Sequence, residues 1–156
     1  METKLSQLYE EDETLWLEKQ VELLQQHKLN EIDVSNLEVY LSDMAKSERK
    51  RNQSYMKLLI RHLLKWKYQE KKRTASWRAT ILENRGNLDE LDKTDCKYAR
   101  EDFQRAYTMA VEATAIETGI PAGEFPQKPE FTFDEMLDNN FWMGSDAKIK
   151  SWFDWK

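Results

Sequence analysis

Residues 46–85, KSERKRNQSYMKLLIRHLLKWKYQEKKRTASWRATILENR, decide the fold. Neither glycine nor proline interrupts the stretch. Tyr55, Met56, Leu59, Ile60, Leu63 and Trp66 fall on one arc at 100° per residue, the pattern of a helix that buries one face. The stretch also carries 13 of the 24 lysines and arginines but only three acids, Glu48, Glu70 and Glu83, so it holds about +10 against about −15 elsewhere. The chain is electrically two-part. Lys50, Lys57, Arg61 and Lys65 line a different face and form a candidate anion-binding stripe. Like charges four residues apart cost an isolated helix about 0.2–0.5 kcal/mol per pair. Such a stripe therefore calls for anionic neighbours, either glutamates of the same chain or an external polyanion.

The lack of breakers extends to the start of the chain. The first glycine is Gly86 and the first proline Pro121, while alanine, leucine, glutamate and lysine abound. No segment alternates apolar and polar residues as a half-buried strand does, and no internal repeat is present. The fold class that follows is all-α: a single-domain bundle of about four main helices, one of them long and central, with a short C-terminal helix and an aromatic tail. At 156 residues the chain suits one domain with one core. The helical domain is expected over residues 8–140, with 141–156 an aromatic C-terminal extension.

The first helix is predicted over residues 8–27, with Trp16 on its inner side and Glu11, Glu18 and Glu22 forming an acidic stripe. Asp33 or Ser35 is placed to cap the second, and Ser35 with Glu38 fits a capping box. That helix is predicted to run unbroken to about Tyr68, a rod of ~50 Å. Thr74 or Ser76 suits the start of a third helix near Trp77, interrupted or bent at Gly86 and ending around Leu91. Thr94 suits the start of a fourth that reaches Thr118 and stops at Gly119. In it Ala99, Phe103, Ala106, Ala110 and Ala113 make a narrow face for a closely approaching helix. Glu117 continues this face at the negative end of the helix, where it needs a cation, with Arg78 or Arg85 the expected partner. Thr132 and Glu135 form a capping box before a short helix over residues 133–138. The end of the chain concentrates Phe141, Trp142, Trp152, Phe153 and Trp155, a candidate interface or a set that docks on the domain itself.

The blocks LYEEDETLWLEKQVELL, HLLKWKYQ, SWRATILENR and AIETGIP followed by FP resemble, in order and spacing, those of the domain of unknown function 29 family, bacterial proteins frequent in cyanobacteria. The resemblance covers roughly residues 8–140. It implies an all-helical domain and brings no activity with it. Glu13 departs from the pattern, standing where an aromatic residue is usual, and the tail from about Phe141 extends beyond it. Among the matching positions, a shared polar site would be sought at His62, Arg78, Arg85 and Glu117.

The chemistry on offer is limited. Neither of the two histidines follows a glutamate at the spacing of helical di-iron sites, and the lone Cys96 makes no internal disulfide or cysteine-based metal site. No metal and no cofactor is expected. His62 with arginine and glutamate is the group a hydrolase would use, yet no phosphate loop or paired-carboxylate motif accompanies it. A hydrogen-bonded edge-of-core histidine is the simpler reading, and no catalytic residue is assigned. The basic stretch, with Trp66, Tyr68 and Trp77, gives nucleic-acid binding a physical basis, although the net charge of −5 opposes it. A non-catalytic protein-interaction module, with a protein partner or a second copy on the long helix or the aromatic tail, ranks first; nucleic-acid binding is the alternative. The longest aliphatic runs are too short for a membrane span, and the acidic N-terminus does not read as a secretory signal, so a cytoplasmic protein is expected.

Overall fold

The computed structural model describes residues 4–143, and among them every regular element is helical. The helices are α1 (Lys4–Glu11), α2 (Glu13–Gln25), α3 (Val34–Tyr68), α4 (Ala75–Asp89), α5 (Lys93–Thr118) and α6 (Phe133–Leu137). Single 3-10 turns occur at Glu70–Lys72 and Ala122–Glu124.

Local chemistry explains most of the boundaries. The helix expected over residues 8–27 is broken at Asp12, whose carboxylate accepts a hydrogen bond from the Leu15 N–H at 3.0 Å and so caps α2. The α2 helix ends in a Schellman motif, with the Lys28 N–H on the Leu23 carbonyl (2.9 Å) and the His27 N–H on the Leu24 carbonyl (3.1 Å). His27 takes the left-handed position, φ 57°, that glycine usually fills.

Asp33 stands at the start of α3, while Ser35 lies inside the helix and makes no capping box. The α3 helix is unbroken through the polar run 46–54. Thr74 caps α4, which passes through Gly86 without interruption and ends at Asp89. Asp92, not Thr94, caps α5, and Gly119 closes it at φ 76°. The Thr132–Glu135 capping box forms as the sequence predicts.

Contacts gather into two compact units, Met1–Ser47 and Glu48–Lys156. One core was the sequence expectation; the main apolar cluster instead draws only on the second unit. It packs Leu59, Ile60, Leu63 and Trp66 of α3 against Ile81 of α4, the alanines of α5, and Phe125, Phe131 and Met136 beyond it. Ala99, Ala106 and Ala110 are all buried, as the narrow face of α5 requires. Arg49 meets Asp102 toward the start of α5, and Lys65 meets Glu117 at its end, so α3 and α5 run side by side in the same direction.

The first unit has a smaller centre of its own. The Trp16 ring lies 4.7 Å from Tyr9 and 5.8 Å from Tyr40, fully buried. Its indole N–H donates to Asp33 Oδ2 at 3.1 Å, and Gln20 Oε1 accepts the Asp33 N–H at 2.9 Å. This polar link ties α2 to the start of α3.

Candidate functional site

Glu117 sits in the last turn of α5, where unsatisfied carbonyls make a carboxylate costly. Its partners are Lys65 Nζ at 2.7 Å and Arg61 Nε at 3.4 Å, both from α3, and not the expected Arg78 or Arg85. The parallel course of α3 and α5 brings Lys65 level with Glu117, whereas Arg85 lies on α4. The Lys65 hydrogen bond holds the Glu117 carboxyl below the usual range. Lys65 is itself buried, with its ammonium 4.3 Å from the centre of the Trp77 ring.

His62 lies within electrostatic reach of this trio. Its Nδ1–H donates to the Leu58 carbonyl at 2.9 Å, one turn back along α3. Burial pushes the His62 pKa down, and the charges of Lys65 and Arg61 add to the effect, so the imidazole is neutral at pH 7. The expected foursome is therefore divided: His62 and Glu117 come together with Arg61 and Lys65, while Arg85 performs another task.

Arg85 is fully buried and has no carboxylate partner in hydrogen-bond contact. Its Nε–H donates to the Met136 carbonyl (2.8 Å) and its Nη2 to the Phe141 carbonyl (2.6 Å), while the guanidinium carbon lies 5.4 Å from the centre of the Trp142 ring. Burial pushes its pKa down to about 10. The fork clamps the end of α6 and the chain that follows to α4. Arg78 is half-buried on the same helix.

The four residues of the basic stripe have different fates. Lys50 is exposed, Lys57 and Arg61 are half-buried, and Lys65 is turned inward. Lys57 and Arg61 line a cleft of about 330 Å³ between α3 and α5, floored by Ala110 and Ala113. Of the other cations in residues 46–85, Arg49, Arg51 and Lys67 hold carboxylates of the same unit and Arg73 is held by a carbonyl. Arg49 grips Asp102 through Nε (2.9 Å) and Nη2 (2.8 Å), which holds that carboxyl below its usual range. Arg51 pairs with Glu48, Lys67 with Glu130, and Arg73 donates to the Trp66 carbonyl at 2.7 Å.

Of the five aromatics proposed as an interface, Phe141 is half-buried and Trp142 is part of the core, its ring 4.7 Å from that of Trp66. Trp152, Phe153 and Trp155 lie outside the described residues.

The exposed apolar side chains concentrate in the first unit, partly on the long helix that the sequence reading named as a partner surface. Eleven large apolar side chains are exposed among the described residues, and eight of them belong to the first unit. On α3, Val34 is 62% exposed, Leu41 55% and Met44 52%. With the half-buried Leu37 they are spaced three, four and three residues apart, the spacing of a coiled-coil seam. Leu15, Val21 and Leu24 of α2 are exposed in the same unit. The 3-4-3 spacing is visible in the sequence; it is masked there because the same residues also read as weak core positions.

The fold and its side chains thus define a helical module in which Lys65 and Asp102 are paired with opposite charges and Arg85 is held by carbonyls. The chain belongs to the family described as domain of unknown function DUF29, whose model matches residues 8–142. Comparison with curated proteins and with solved structures found no match. No helix among the described residues is long and apolar enough to cross a membrane.

Proposed function

We propose that the protein is a non-catalytic protein-interaction module and that its first unit presents the partner surface. The observation that carries this reading is the concentration of exposed apolar side chains there, above all Val34, Leu41 and Met44 in register on α3. Contiguous apolar surface in water is unfavourable by about 25 cal/mol per Å², and its usual use is to be covered by another macromolecule. Internal matching of the basic stretch favours this reading over nucleic-acid binding, because Arg49, Arg51, Arg61, Lys65 and Lys67 already hold carboxylates of the same unit. His62, neutral and bonded to its own helix, fits a packing role better than that of a general base.

The test is the triple variant Val34→Gln, Leu41→Gln, Met44→Gln, which alters only exposed positions and retains good helix formers. Size-exclusion of gently lysed native cells is expected to show the wild-type chain in a larger assembly and the triple variant as the free chain. Identical elution of the two, with equal thermal stability, would count against this surface.

A further inference from the structure

From charge and spacing on the first unit we infer the chemistry of its partner: a basic amphipathic helix, with apolar residues at heptad spacing flanked by lysine or arginine. This rests on the proposal that the first unit is the interaction surface. The stripe of Val34, Leu37, Leu41 and Met44 occupies successive a and d positions, so it offers a helical partner knobs and holes over three turns. The exposed Glu38 falls at the following e position, while Asp33, just before Val34, holds its carboxylate on Trp16 and Asn36. One border of the seam thus carries a free carboxylate, and the other carries Tyr40, packed on Trp16.

The whole unit has the same sign. Residues 1–47 hold eleven acids against four lysines and no arginine, about −7. Charge complementarity selects among occupants that would cover the same apolar seam. A second copy of the unit in an antiparallel pair sets Glu38 against Glu38 and brings two surfaces of about −7 together, which like-charge repulsion disfavours. A helix bearing Lys or Arg at its e and g positions meets Glu38 with opposite charge and is steered in by the field of the unit. The partner side chains belong on a helix rather than a strand because the exposed row follows the 3-4-3 period of paired helices.

The experiment uses the full chain and two synthetic helices of about three heptads, both with leucine at a and d, one with lysine and one with glutamate at e and g. Fluorescence anisotropy is expected to show binding of the lysine helix at least about tenfold tighter than the glutamate helix, weakening about tenfold or more as salt rises from about 50 to about 500 mM. The triple glutamine variant, unchanged in thermal stability, is expected to lose that binding. Equal binding of both helices, or undiminished binding by the triple variant, overturns the inference about charge or about site. Binding of neither helix overturns the inference as a whole. A dimer in sedimentation velocity that the triple variant abolishes would overturn the inference while sparing the proposed function, because the surface would then be an interface between copies. The loss of the function itself is read separately, from identical elution of wild type and triple variant in native lysate.

Discussion

Replacing Arg85 by methionine and by lysine separates two meanings of a buried arginine. If the side chain serves as a two-pronged donor to the Met136 and Phe141 carbonyls, both variants lose stability. Two hydrogen bonds from a charged donor contribute about 1.5–3 kcal/mol each. Against this stands the cost of keeping the charge dry: a guanidinium brought down to about 10 from its ordinary value above 12 corresponds to roughly 3 kcal/mol. Arg85→Met recovers that cost but leaves both carbonyls without their donor, for a net loss of up to about 3 kcal/mol. At about 2–4 °C per kcal/mol for a chain of this size, the melting temperature should fall by up to roughly 12 °C. Arg85→Lys keeps the charge yet has no fork to reach two carbonyls at once, so it should be at least as damaging as methionine. Denaturation followed by circular dichroism gives the energies, and amide exchange over residues 136–143 shows whether this segment is released first. Unchanged amide exchange over residues 136–143 in the methionine variant would refute the clamp, and full rescue by lysine would show that charge rather than geometry is what matters.

Other consequences follow from the same contacts. Glu117→Gln leaves the Lys65 ammonium, only 7% exposed, facing a neutral amide; because Glu117 is itself 43% exposed, solvent softens the loss to about 1–2 kcal/mol, measurable by urea unfolding. The Glu117 and Asp102 carboxyls titrate below their ordinary values, so their contribution is present above about pH 4.5 and disappears as pH falls through the lower folded values. Urea midpoints should drop in that range, and less so for Glu117→Gln. The folded pKa of His62 lies below that of the unfolded chain, so the stabilisation from keeping it neutral is complete above about pH 6.5 and is lost as pH falls through the folded value. His62→Gln should flatten the stability profile below about pH 6.5, and an unchanged slope there would contradict the burial argument. His27→Gly should stabilise α2 by up to about 1 kcal/mol, seen as slower amide exchange at its C-terminal end, because glycine takes φ 57° without the penalty a side chain incurs.

The helices were legible because their signals are local. The 3.6-residue spacing of Leu59, Ile60, Leu63 and Trp66, the glycine after Thr118 and the Thr132–Glu135 pair each specify structure within a few residues. Boundary differences came from competition among neighbouring caps: Asp12 divides a segment whose apolar periodicity runs on, and Asp92 begins its helix two residues before Thr94. The partner of Glu117 was not legible, because it depends on α3 and α5 running in the same direction, a tertiary fact that brings residues 52 positions apart together. Arg85 was singled out as a polar residue of interest, yet its carbonyl partners lie at the end of α6 and just beyond it, where no sequence pattern points back to α4. The exposed seam on α3 was present as a spacing, but spacing alone does not say which faces another helix will cover.

The most direct test of the partner surface is site-specific photo-crosslinking in living cells. A photoreactive phenylalanine analogue is placed at Leu41, in the centre of the seam, and in parallel at Ile116, an exposed position of the second unit far outside it in sequence. The account predicts a discrete higher-mass adduct from position 41 that the Ile116 control does not form. A free chain at both positions, or the same adducts from both, would contradict it.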